Sequence, residues 1–185
     1  MQVPRPAQHP PAVIPNARSV PVTTEEQKAK LVQFLSQQYL CESLTVKEVE
    51  TLLEYTEVVE FGKDEIIADI GEVGEALFFV VSGAATLYHD DNGREIEVGH
   101  MDQGELMGEM SFFDRRPRSL RMRARSNATR LLKLTRAMYK RLRVEHPYIA
   151  VNLLEHAIVS LDHLVRQVSE QEATLARYIY GPGKK

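Results

Sequence analysis

From Val58 onward the apolar residues lose helical spacing and fall into short runs cut by turn formers. Val58-Val59-Glu60-Phe61 ends at Gly62, with Asp64 and Gly71 punctuating the stretch that follows. Leu77-Phe78-Phe79-Val80-Val81 ends at Ser82-Gly83, and Ala85 to His89 leads into Asp90-Asp91-Asn92-Gly93, a hairpin signal. Glu95-Ile96-Glu97-Val98 alternates and stops at Gly99. Leu120-Arg121-Met122-Arg123-Ala124-Arg125 alternates strictly, and Leu131 to Leu134 forms a last run. Strands this close leave no room for crossover helices. The pattern therefore predicts a mainly β fold, an antiparallel roll or jelly-roll-like sandwich, and excludes a parallel α/β sheet.

Helical spacing brackets this region. Thr23-Thr24 opens a helix with Glu26 placed for a capping box, and Leu31, Phe34, Leu35 and then Tyr39 follow at helical intervals. Thr45 opens a second, with Val46, Val49, Leu52 and Leu53 on one face. Thr135 caps a short basic helix running toward Val144. Pro147 suits a first helical position, and no Gly or Pro follows until about Tyr180. At about 1.5 Å per residue that helix is about 50 Å long. Leu154, Ile158, Leu161, Val165 and Val168, then Glu172, Leu175 and Ile179, step by four and three. A small β domain cannot cover so long a stripe, so the helix is expected to pair with a second copy; packing back on the domain is the alternative. Residues 1–22 hold six of the nine prolines and no acid, the mark of a tail. The expected organisation is a 1–22 tail, a β domain with its N-terminal helices over 23–146, a dimerisation helix over 147–180 and a 181–185 tail.

Cys41 is the only cysteine, which excludes an intramolecular disulfide framework and a multi-cysteine zinc site; it reads as a small core residue. No run approaches 18 apolar residues, and prolines stand where an export signal needs its apolar segment. A cytoplasmic protein with no membrane partner is expected. The net charge of −3 conceals an asymmetry: residues 115–144 hold twelve Arg or Lys and no Asp or Glu. That positive segment could serve acidic surfaces of the same chain, a small anion or a nucleic acid. The acidic remainder would repel a long polyanion, which makes nucleic acid the weakest of the three.

One segment concentrates chemistry, from Asp102 to Ser119. Gly108 lets backbone approach a ligand, and a short helix from Met110 and Ser111 offers unpaired N–H groups to an anion. Arg118 supplies a fork for phosphate oxygens, with the Ser119 hydroxyl beside it. Glu109 repels phosphate and suits a sugar hydroxyl instead. The same spacing also suits a turn glycine followed by a plain Glu109–Arg118 ion pair.

This segment resembles the phosphate-binding cassette of the cyclic nucleotide-binding domain family, to which bacterial cAMP receptor protein and the regulatory subunits of cAMP-dependent protein kinase belong. Phe61-Gly62, Asp64 to Ile67, Gly71-Glu72 and Phe78 to Gly83 are similar to the family's strand-and-turn pattern, over roughly residues 40–145. The resemblance implies a ligand site of Gly108, Glu109, Met110, Ser111, Arg118 and Ser119, with Glu109 on the ribose 2′-hydroxyl and Arg118 on the cyclic phosphate. It implies cAMP ahead of cGMP, no cofactor and no metal, and a homodimer through Leu154, Ile158, Leu161, Val165 and Val168. Arg115, Arg116 and the bulky Leu120 depart from the usual pattern and leave the base undecided, and a cyclic dinucleotide open. Tyr178 and Tyr180 are candidates to stack on a base.

After the long helix only Gly181 to Lys185 follow, so no DNA-binding helix-turn-helix is expected and the output falls to an effector protein. The expectation is a regulatory sensor, not an enzyme. A Glu105–Glu109 carboxylate pair lacks a nucleophile, and His156 with His163 lacks further metal ligands. A ligand-free scaffold of the same fold and a nucleic-acid binder through 115–144 are the alternatives.

Overall fold

In the computed structural model, residues 17–22 and 24–161 are described. α1 (Glu25–Ser36) is capped by Thr24, whose hydroxyl accepts from the Gln27 amide while the Gln27 side chain accepts from the Thr24 amide. The partner in this capping box is Gln27 rather than Glu26, because the cap sits at Thr24 and the third helical residue closes it. A 3₁₀ turn (Tyr39–Cys41) leads to α2 (Val46–Glu54), capped by Thr45 with Glu48. Val49 and Leu52 are buried, but Val46 is exposed at the helix start.

Nine strands form among the described residues, of which β1 and β7 were not anticipated: β1 (Arg18–Ser19), β2 (Glu57–Phe61), β3 (Ile66–Ala68), β4 (Ala76–Ser82), β5 (Ala85–Asp91), β6 (Arg94–Met101), β7 (Leu106–Met107), β8 (Arg121–Ala124) and β9 (Thr129–Thr135). They form two antiparallel sheets, β1-β2-β9-β4-β7 and β3-β8-β5-β6. The antiparallel β-roll with flanking helices is thus as expected. Two details differ. Arg18 and Ser19 pair with Glu60 and Val59, so part of the proline-rich segment edges a sheet. β6 continues through Gly99 to Met101, because a register shift at Leu87/Tyr88 absorbs the irregularity while the β5 pairing persists. Asn92 and Gly93, both with positive φ, make the β5–β6 turn.

Alternation sorts each strand between two cores. Phe61, Phe78, Val80, Met107, Met122 and Leu131 fill the roll interior. Leu77, Phe79, Leu106, Leu132 and Leu134 point the other way and meet the helices. Cys41 lies in that second cluster, 1% exposed, and burial pushes its thiol up to about 12, so it is an inert core residue. α4 (Arg136–Glu145) is capped by Thr135. α5 begins at Pro147 and is helical through 161. Its Ile149, Ala150, Leu153 and Ala157 are buried in the helical cluster, while Leu154 and Ile158 are 39% and 58% exposed. One face packs back on the domain and the expected pairing stripe faces outward. Val165 and Val168, with His163, Tyr178, Tyr180 and the rest of the 147–180 helix, lie outside the described residues. No helix among the described residues is long and apolar enough to cross a membrane.

Candidate functional site

β7 pairs with Phe78 and Phe79 of β4, which delivers the chain to Gly108 at the roll's edge. Gly108 adopts φ +88° and serves as the N-cap of α3 (Glu109–Asp114). Only glycine takes that left-handed turn without strain, and the turn places Glu109 at the first helical position. Phe112 anchors α3 from below: it is 1% exposed and makes edge contacts with Phe113 and with Tyr139 of α4. The Arg136 guanidinium lies over its ring at 4.6 Å.

Arg118 is pinned by its backbone. Its amide donates to the Glu72 carbonyl at 2.8 Å, its carbonyl accepts from the Gly71 amide at 2.9 Å, and Pro117 bridges Val73. The guanidinium then lies back across two glycines. A Cβ on Gly74 would stand 3.0 Å from Nη2, and one on Gly108 would stand 3.3 Å from Nη1. The side chain is half-buried, and burial pulls its pKa below the ordinary arginine range while the charges of Glu72 and Glu109 act to restore it. A cation held in that way favours an anionic ligand.

Glu109 is 6% exposed. Burial pushes its carboxyl above the ordinary range; its own backbone amide, the Arg118 charge and the Ser160 hydroxyl pull the other way. Glu109 and Arg118 make no direct ion pair within 4.0 Å among the described residues. The plain ion-pair reading of the spacing is thus not what the fold builds.

The remaining expected residues divide. The buried Ser111 hydroxyl accepts from the Gly74 amide at 2.7 Å and donates to the Arg116 carbonyl at 2.6 Å. Its side chain braces the loop, which leaves its amide, not its hydroxyl, for a ligand. Met110 is 57% exposed, and Ser119 is exposed next to Arg118. Glu105 is not on the helix with Glu109: it precedes β7 and its carboxylate accepts from the Asp102 amide at 2.6 Å. The proposed carboxylate pair therefore does not form. His156 is half-buried against Tyr39, with ring centroids 5.4 Å apart, and no group of metal-ligating residues occurs among the described residues. Gly74 escaped the sequence reading, with a weak signal in the neighbouring Gly71-Glu72.

Half of the basic side chains of 115–144 answer the chain's own acids. Arg121 is bidentate to Asp69 and also bonds Glu95, which Arg123 engages at 2.8 and 2.9 Å. Arg130, Lys133, Arg136 and Arg141 pair with Glu60, Glu57, Glu75 and Glu145.

Residues 58–146 match the family model of the cyclic nucleotide-binding domain. These residues belong to the cyclic nucleotide-binding domain family. The cyclic AMP receptor protein of Thermus thermophilus is 34% identical over 115 residues, 62% of this chain and 53% of that protein. A cAMP-dependent protein kinase regulatory subunit of Mucor circinelloides is 26% identical over 56% of this chain and 24% of its own length. This chain thus spans about half or less of these curated relatives. Among solved structures, the Thermus thermophilus catabolite activator protein aligns at TM-score 0.64 and 30% identity, covering 75% of this chain and 63% of that one. A cyclic nucleotide-binding domain from Methylobacillus flagellatus aligns at TM-score 0.69 and 20% identity over 86% of each chain, a likeness of fold.

Proposed function

We propose that this chain is a cyclic nucleotide sensor that binds cAMP in preference to cGMP. The observation that carries the reading is the placement of Arg118 and Glu109 about Gly108. A half-buried guanidinium suits the cyclic phosphate, and a buried carboxylate suits the ribose 2′-hydroxyl. Gly108, the amides of Met110 and Ser111, and the Ser119 hydroxyl complete the ligand site. The names of the Thermus and Mucor relatives point to the same ligand.

The site has a mechanical route to the helices. Phe112 and Phe113 of α3 both contact Tyr139 of α4, and Phe112 shares a packed cluster with Leu153 and Ala157 of α5. A cassette drawn toward its ligand would shift that packing, and the helix would pass the change to an effector protein. The exposed Leu154 and Ile158, continuing to Leu161, Val165 and Val168, supply a seam for a second copy. The role is regulatory rather than catalytic, in a cytoplasmic setting. The nucleic-acid alternative loses support because six of the twelve basic side chains in 115–144 pair with the chain's own carboxylates.

Titration calorimetry against cAMP and cGMP tests this reading, with Arg118→Ala as control. The expected result is micromolar or tighter binding of cAMP, weakened at least about a hundredfold in the variant, or about 3 kcal/mol. Absence of heat with either nucleotide, in a protein that still forms a dimer, would favour a ligand-free scaffold.

A further inference from the structure

The loop that leads to Arg118 holds two arginines with no task in the site described above. Asp114 to Pro117 are exposed, and so is Ser119. Arg115, at φ +59°, ends α3, and the Arg116 amide donates to the Asp114 carboxylate at 2.9 Å. Among the described residues neither guanidinium has a carboxylate partner, and the Ser119 hydroxyl makes no hydrogen bond. The segment reads Arg115-Arg116-Pro117-Arg118-Ser119-Leu120. A serine with an arginine three residues before it and an apolar residue after it suits a kinase whose substrate groove is acidic. Exposed guanidinium forks would meet the carboxylates of such a groove.

The spacing alone does not single out Ser119. Ser126 also follows an arginine by three residues, Arg123, with Arg125 directly before it. The fold separates the two serines. Arg123 lies in β8, engages Glu95 at 2.8 and 2.9 Å and stands over the Tyr88 ring at 5.0 Å. A kinase would have to break those contacts, and Ser126 itself is half-buried. Arg116 has no such engagement among the described residues. Ser169, which follows Arg166 by three, lies outside the described residues. The backbone of Arg118 is bonded on both sides, to Glu72 and to Gly71, and fixes Ser119 directly after the phosphate-binding arginine.

We propose that Ser119 is a phosphorylation site for a serine/threonine kinase that selects basic segments, and that its phosphate excludes the nucleotide. The exclusion rests on the nucleotide reading above and specifies how that same site is regulated. Ser119 Oγ attacks the γ-phosphorus of ATP held by the kinase. The bond to the β,γ-bridging oxygen breaks, ADP leaves, and the hydroxyl proton passes to the catalytic carboxylate of the kinase. A neutral hydroxyl donor thereby becomes a group of charge about −1.5 to −2 at pH 7. It stands next to the arginine that the cyclic phosphate needs, so the ligand meets a like charge and loses a donor at once. Arg115 and Arg116 gain a task by this reading: they mark the serine.

The test uses the native full chain, magnesium-ATP and the catalytic subunit of cAMP-dependent protein kinase as the probe enzyme. Mass spectrometry maps the phosphate, and calorimetry then measures cAMP affinity. The expected result is phosphate on Ser119 and none on Ser126, with labelling at 119 abolished by Ser119→Ala. Phosphorylated chain should bind cAMP at least about twentyfold more weakly than unmodified chain. Ser119→Ala, which loses only a donor, should weaken binding by no more than about fivefold. A phosphatase should restore the affinity, and equal melting temperatures check that the modified chain is folded. No phosphate on Ser119, or equal labelling of Ser126, would overturn the assignment of the site. Unchanged affinity in chain phosphorylated at Ser119 would overturn the exclusion. Unmodified chain that binds neither cAMP nor cGMP overturns the nucleotide reading and the exclusion with it, while the mapped phosphate still decides the acceptor.

Discussion

The guanidinium of Arg118 lies against the backbone of Gly108, so close that a Cβ on the glycine would stand 3.3 Å from Nη1 and 3.4 Å from Nη2. The two residues are ten positions apart, and the turn at Gly108 and the position of Arg118 depend on each other. Gly108→Ala forces a side chain into φ +88° and pushes the guanidinium away. The expected outcome is a stability loss of about 1–2 kcal/mol in urea unfolding, with cAMP affinity lowered by about tenfold or more. Unchanged affinity would show that Arg118 is not positioned by this contact.

Gly74 faces a harder obstacle. A Cβ there would meet the Phe112 amide nitrogen at 2.8 Å and the Ser111 carbonyl carbon at 2.9 Å, both backbone atoms. Gly74→Ala must therefore move the 71–75 turn away from α3. It would also stretch the bond from the Gly74 amide to Ser111. Thermal unfolding should show a loss of at least about 2 kcal/mol. A melting temperature equal to wild type would contradict the close packing of this turn on the cassette.

Ser111→Ala removes the hydroxyl that joins Gly74 to Arg116, and leaves a buried amide without its acceptor. The expected cost is about 1–3 kcal/mol. Because the fold keeps Arg118 and Glu109, ligand affinity should fall less than in Arg118→Ala. Hydrogen exchange at the Gly74 amide is the direct check, and its protection should drop.

The pH dependence of stability should carry the signature of Glu109. Its folded carboxyl titrates above the ordinary value of 4.5 because burial disfavours the charge. The folded state therefore holds the proton more tightly than the unfolded state between those values. Stability from this group is greatest below about pH 4.5 and falls as pH rises through the folded value. Glu109→Gln has no such titration. Wild-type minus variant stability should decline as pH rises above 4.5 and then level off; a flat difference would mean the carboxyl is not desolvated in solution.

On α5, neighbouring positions should behave in opposite ways. Ile158→Glu alters a residue 58% exposed and should leave the monomer fold intact while shifting sedimentation from dimer to monomer. Leu153→Glu places a charge where the leucine is 3% exposed and should unfold or undock the helix. If Ile158→Glu leaves the sedimentation coefficient unchanged, the seam does not pair the copies.

Much of this architecture was readable because its signals are local. The hairpin at Asn92-Gly93, the Thr45 and Thr135 caps and the start of α5 at Pro147 each depend on residues a few positions apart. So does most of the cassette, where Gly108, Glu109 and the helix they open are contiguous. What was not readable shares a cause. A Glu105–Glu109 pair has a helix-like spacing of four, but β7 pairs with β4 and takes up the chain between them. The basic segment was open to service by the chain's own acids, but only the fold shows that Asp69, just after β3, and Glu95 of β6 claim the arginines of β8.

Alternation and turn chemistry determined by themselves that this chain forms an antiparallel roll, and the order of residues in 108–119 marked the segment on which the proposed site stands. Those properties arise from backbone preferences and side-chain direction within single elements. Tertiary structure alone decided that Gly74 yields its space to Arg118 and that Ser111 serves as a brace. Each of those depends on how strands and helices distant in sequence pack together, and burial then sets the energy of the charges they enclose.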